Sequence, residues 1–192
     1  VEKKNLKSLF PEKIKKNFIN IGAIVEITAE MVKKLRIKTG AGIMASKKAL
    51  ENSKGDFSKA EQVLQEQGLA LAAKKAGRDT GEGIVQSYIH TGGRIGALVE
   101  VKCETDFVAR TTEFIELSKN IAMQIAAMNP IYVDRENIPN DLDLEPGSED
   151  ILLEQAYIRD QSLTVEDIVK EVVSKVGENI VISRFTRFDL SS

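Results

Sequence analysis

Apolar positions along the chain follow a helical spacing up to about Leu71, alternate from Gly83, and return to helical spacing after Phe107. Thr28 stands before Met31, Val32 and Leu35, which share one helix face, and Gly40 lies just past Lys38 and Thr39, so a capped first helix is predicted. After Gly40-Ala41-Gly42, good helix formers from Ile43 to Asn52 predict a second helix that sets Met44 and Leu50 close to Lys47 and Lys48. Ser53-Lys54-Gly55 is turn chemistry. Asp56 then caps a third helix with Ala60, Val63 and Leu64 at helical spacing before Gly68. Ala70 to Arg78, rich in alanine and lysine, reads as a helical or flexible linker.

From Gly83 the period is two. Val85, Ser87 and Ile89 face one way, Gln86, Tyr88 and His90 the other. Thr91-Gly92-Gly93-Arg94 is a turn, and beyond it Ala97, Val99, Val101 and Cys103 alternate with Leu98, Glu100, Lys102 and Glu104, completing a hairpin with one buried face. The hairpin is expected to lead directly into a long helix striped by Phe114, Leu117, Ile121, Ile125 and Met128, ending before Pro130. Asp134 to Asp150 is acidic and carries Pro139, Pro146 and Gly147, so an exposed, mobile loop is expected there. Thr164 with Asp167 predicts a capping box for a helix bearing Ile168, Val169, Val172, Val173 and Val176 and stopped by Gly177; Asn179 to Phe188 closes as a strand. The fold class is α+β, with N-terminal helices followed by an antiparallel sheet packed with helices. The expected divisions are a leader or tether at 1–25, a helical domain at 26–72, a linker at 73–82 and an α+β core at 83–192.

Composition narrows the function. A net charge of −2 over 192 residues argues against a strongly electrostatic nucleic-acid binder. No apolar run reaches the roughly 18 to 20 residues that cross a bilayer, so a soluble protein is expected. Val1 to Val25 holds six lysines against Glu2 and Glu12 and reads as a basic leader or tether of a processed or trimmed chain.

Candidate chemistry is sparse. Cys103 is the only cysteine and His90 the only histidine, too few for a closed zinc site. Cys103 lies on the inward face of the hairpin, where a thiol is inert, so catalysis is not expected. Thr39 to Leu50 superficially suggests a phosphate loop, but it lacks a Gly-Lys-Ser/Thr run and a strand leading in. Lys74, Lys75 and Arg78 read as a solvated linker face. Thr105-Asp106-Phe107-Val108 stands at the strand-to-helix corner. One reading has Asp106 capping the long helix while Phe107 and Val108 anchor its first turn in the core; the other has Phe107 projecting as an apolar wedge with Asp106 beside it.

Three groups of residues carry a family resemblance. Ile27-Thr28-Ala29-Glu30-Met31-Val32-Lys33-Lys34-Leu35-Arg36, with Thr39-Gly40-Ala41-Gly42 and Lys47-Lys48-Ala49-Leu50, resembles the amino-terminal signature of the elongation factor Ts family. Ser87-Tyr88-Ile89-His90, Gly93-Arg94-Ile95-Gly96 and Val99 through Arg110 resemble its second signature. Leu152-Leu153-Glu154-Gln155, Gly177-Glu178-Asn179-Ile180, Arg184-Phe185 and Arg187-Phe188 resemble its carboxyl end. The resemblance implies a ubiquitin-associated-like three-helix bundle ahead of a dimerisation-type core. It also implies a guanine-nucleotide exchange factor that acts on elongation factor Tu in translation elongation, with no cofactor and no enzymatic step.

By the same resemblance, Arg36, Ile43 and Met44 grip the partner, Asp106 and Phe107 form the wedge, and Thr105 and Val108 support it. A homodimer is a further implied arrangement. An organelle with bacterial-type translation, a plastid or mitochondrion, is preferred over a bacterial cytoplasm because of the lysine-rich leader. Two departures stand out: Ala45-Ser46 replaces the family's usual Asp-Cys, removing an acid and a thiol beside the first partner-binding turn, and only a short acidic loop fills the place of a long charged helical segment. The alternatives left open are a helical-bundle adaptor without exchange activity and a thiol enzyme using Cys103.

Overall fold

The structure is a computed structural model and describes residues 25–139, 141 and 145–190. The basic stretch before Val25 lies outside the described residues. The chain forms two compact units that divide between Gln62 and Val63.

The first unit holds α1 (Ala29–Thr39), α2 (Ile43–Asn52) and the start of α3 (Phe57–Lys75). Thr28 accepts a hydrogen bond from the Met31 amide, and Gly40 ends α1 at φ 68° with its N–H donated to the Arg36 carbonyl. The left-handed conformation at that joint is one glycine adopts without Cβ strain. Asp56 accepts from the Lys59 amide at 3.1 Å and caps α3. Val32, Leu35, Ala49, Leu50 and Ala60 are buried, and each fully buried leucine contributes roughly 1.5–3 kcal/mol. Lys38 and Glu61 pair at 2.6 Å.

Helix α3 does not stop at Gly68; it runs on to Lys75. In the second unit a Cβ at Gly68 would lie 2.6 Å from the Ser174 hydroxyl, so this glycine allows close packing of helices rather than ending one.

The second unit is built on a three-stranded antiparallel sheet in the order β1 (Glu82–Ile89), β2 (Ile95–Cys103), β5 (Ile180–Asp189). Its register pairs Tyr88 with Ala97, Gln86 with Val99 and Ile84 with Val101, which sets Ile84 and Tyr88 against the core and leaves Val85 and Ile89 on the outer face. Ala97, Val99, Val101 and Cys103 face inward as their alternation predicted.

The route from β2 to the long helix is not direct. A short helix α4 (Asp106–Ala109) comes first, and α5 (Thr112–Met128) starts only after Thr111, which caps it by accepting from the Phe114 amide. Phe114, Leu117, Ile121 and Ile125 are buried against the sheet, but Met128, at the end of the stripe, is exposed. Helix α6 (Val165–Val176) packs on α5; it has the Thr164–Asp167 capping box and ends at Gly177 with φ 76°.

The acidic loop is held at both ends. Val133, Ile151 and Leu152 are buried, Tyr132 bridges to Ile151, and Arg135 reaches Glu154 with two bonds of 2.7 Å. A small hairpin of β3 (Ala156–Tyr157) and β4 (Asp160–Thr164) follows, with no counterpart in the sequence reading. Its anchor is the buried Gln124, whose amide donates to Gln155 and to the Ala156 carbonyl and accepts from the Ile158 amide at 2.8 Å.

Candidate partner-binding site

At the strand-to-helix corner the chain sorts consecutive side chains by environment. Thr105, not Asp106, is the cap of α4: its hydroxyl accepts from the Val108 amide. Val108 and Ala109 enter the core cluster, whereas Phe107 is 78% exposed. The core-anchor reading therefore holds for Val108 and fails for Phe107. The Asp106 carboxylate meets Arg110 at 2.8 Å, with both side chains largely in solvent. Such a surface pair contributes little, so Asp106 can exchange Arg110 for another partner at small cost.

Beneath the corner lies a reciprocal clasp. Glu178 accepts from the Thr105 amide at 3.0 Å and from its hydroxyl at 2.7 Å, while Glu104 accepts from the Asn179 amide at 2.7 Å. The Asn179 side chain donates to the Arg78 carbonyl, and the Arg78 guanidinium pairs with Glu104. The bond from the Asn179 amide, reinforced by Arg78, holds the Glu104 carboxyl below the usual glutamate range. Glu178 entered the sequence reading only as part of a family pattern. Hydrophobic periodicity carries no signal for a bond spanning that distance along the chain.

In the helical unit, Arg36, Ile43 and Met44 are all solvent-exposed, with Met44 at 75% and Ile43 at 58%. Ile37, which the sequence reading passed over, is 73% exposed and adds to the apolar surface near the Thr39 to Gly42 joint. Ser46 is fully buried, so its hydroxyl belongs to the interior of the helical unit and not to the surface beside the turn.

Cys103 is buried and its thiol donates to the Thr105 carbonyl at 3.1 Å. Burial, and then the Glu178 charge, push its pKa up, which keeps it protonated and unreactive. His90 contacts Tyr88 at 3.2 Å beyond the Ile89 end of β1, whereas Cys103 pairs with Glu82 at the other end. At about 3.3 Å per residue along β1 the two lie roughly 26 Å apart, too far for a nucleophile and its base. Among the described residues no group of three His, Cys, Asp or Glu could hold a metal ion, and no helix is long and apolar enough to cross a membrane.

The family profile described as Elongation factor TS matches residues 15–147, more than half of the chain. This chain belongs to the elongation factor Ts family. It is 50% identical over 192 residues to the elongation factor Ts of Thermoanaerobacter sp. (strain X514), covering 85% of this chain and 94% of that one. Against the Rippkaea orientalis factor the identity is 47% over 197 residues, covering 87% and 79%. The Thermotoga maritima factor is 45% identical over 193 residues, with 86% and 97% covered.

An elongation factor Ts is a nucleotide-exchange factor for elongation factor Tu in translation elongation, not an enzyme, and the adaptor and thiol-enzyme alternatives give way to that. The aligned 192 positions exceed the 85% of this chain that they use, so the Thermoanaerobacter factor carries residues within the match that this chain lacks. These relatives are bacterial and lend the organelle preference no support.

Proposed function

We propose that Phe107 is the wedge of the exchange factor, entering elongation factor Tu near the magnesium and phosphate site with Asp106 as its polar companion. The single observation that carries this reading is a large aromatic side chain held out in solvent by a residue pair, Thr105 and Val108, that is itself anchored. Aromatic side chains presented from a rigid support are the common anchors of protein interfaces. No bond is made or broken in exchange. A protein that binds the empty state of its partner more tightly than the GDP-bound state weakens GDP binding by the same factor.

Arg36, Ile43 and Met44, joined by Ile37, form the grip, and the helical module at 26–72, the linker at 73–82 and the core at 83–192 divide the labour, with α3 running past the end of the module into the linker as far as Lys75. The exposed apolar residues Val85, Ile89, Leu98 and Phe188 on the outer sheet face favour a homodimer as a second arrangement. The test separates grip from wedge by fluorescent-GDP release from elongation factor Tu at increasing exchange factor. Met44→Asp raises the half-saturating concentration by about tenfold, the equivalent of 1.4 kcal/mol, with the maximal rate retained. Phe107→Ala lowers the maximal rate instead. Identical effects of the two substitutions on both quantities would refute the division.

A further inference from the structure

We propose that Glu178 is a positioning residue for exchange, holding Thr105 so that Phe107 is presented outward. The inference rests on the wedge reading of Phe107. Helix α4 has four residues, and a helix so short has no stability of its own, so its orientation must be set from its ends. On the far side, Val108 and Ala109 are buried, and Thr111 donates to the Val108 carbonyl at 2.8 Å. On the near side the anchor is Thr105, and both of its free donors go to the one carboxylate of Glu178.

That arrangement fixes the hydroxyl. Its single proton is committed to Glu178, so its lone pairs are left to accept from the Val108 amide and cap α4. Hydrogen bonds to an ionised acceptor are about twice as strong as neutral ones, which suits a contact that must hold against the load of a partner. Glu178 follows Gly177, the left-handed terminator of α6, and precedes Asn179, whose amide is held by Glu104. Both sides of the clasp thus come from fixed backbone, and the carboxylate is delivered from the end of a packed helix.

The experiment is stopped-flow release of fluorescent GDP from elongation factor Tu, using the full chain as wild type, Glu178→Ala, Glu178→Gln, Phe107→Ala and the Glu178→Ala/Phe107→Ala double variant. Glu178→Ala is expected to lower the maximal stimulated rate about tenfold while the half-saturating concentration stays within about twofold. Glu178→Gln keeps one carbonyl acceptor and falls between. In the Phe107→Ala background Glu178→Ala costs less than about twofold more, because residues acting through one another are not additive. Amide exchange at Thr105 accelerates in both Glu178 variants.

Wild-type maximal rates for Glu178→Ala and Glu178→Gln beside a slow Phe107→Ala would overturn the positioning role and leave the wedge standing. Losses that multiply fully in the double variant would overturn it too, since Glu178 would then act through the fold at large. A wild-type rate for Phe107→Ala removes the wedge and this inference together. Should Glu178→Ala fail to fold, the isosteric Glu178→Gln carries the same comparisons.

Discussion

Phe107 and Val108 are consecutive residues of one four-residue helix, yet Phe107 is 78% exposed and Val108 only 4%. Burial of Val108 fixes the backbone from which Phe107 projects. An apolar ring held in water by such an anchor gains nothing for the free protein, and its energy is available to a partner.

Ser46 offers a stability test inside the helical unit. Its hydroxyl is the one buried side-chain polar atom among the described residues without a hydrogen-bond partner. An unsatisfied buried hydroxyl costs about 1–3 kcal/mol, and a thiol, somewhat larger but only a weak hydrogen-bonding group, does not carry that penalty. Ser46→Cys is expected to stabilise the unit by about 1 kcal/mol and Ser46→Thr to destabilise it through overpacking. Thermal unfolding followed by circular dichroism checks both; a lower melting temperature for Ser46→Cys would contradict the account.

Acid should loosen the clasp. The folded-state pKa of Glu104 is lowered, first by the Asn179 amide and then by Arg78, so its contribution is full above the unfolded value and is lost as pH falls through the folded one. With an ordinary glutamate near pKa 4.3, the urea midpoint of the native chain is expected to hold down to about pH 5.5 and to decline below about pH 4.5. Asp160, held down by Ser162, and Glu100, held down by Arg184 and Lys102, act in the same direction. Glu104→Gln, which keeps an acceptor for Asn179, makes the acid decline shallower. An unchanged slope would count against the clasp.

Local signals in the chain were strong where caps and periodicity agree. The Thr28, Asp56 and Thr164 caps, the Gly40 and Gly177 stops and the inward face of β2 all stand as the residues predicted. The failures came where a distant contact overrode a local cue. Gly68 looked like a helix terminator because glycine usually is one, but its role is set by Ser174 more than a hundred residues away.

Gln124 sat in an apolar stripe without a hint that it would anchor a hairpin beyond it. Asp106 looked like a cap because acids often are, whereas Thr105 holds that place with the help of Glu178. At the candidate site Arg36, Ile43 and Met44 came from the family resemblance alone, and pattern left Phe107 open between the core and the surface. The clasp that orders the corner could not be read from pattern, since nothing in the spacing of Glu104, Thr105, Glu178 and Asn179 brings them together before the sheet forms.

The role proposed for Phe107 in GDP release is checked most directly by the maximal rate of fluorescent-GDP dissociation from elongation factor Tu with saturating Phe107→Ala. Loss of an aromatic anchor worth about 2 kcal/mol or more predicts a fall of roughly thirtyfold or more, with the melting temperature of the exchange factor unchanged. A rate equal to that of the wild type at saturation would contradict the account.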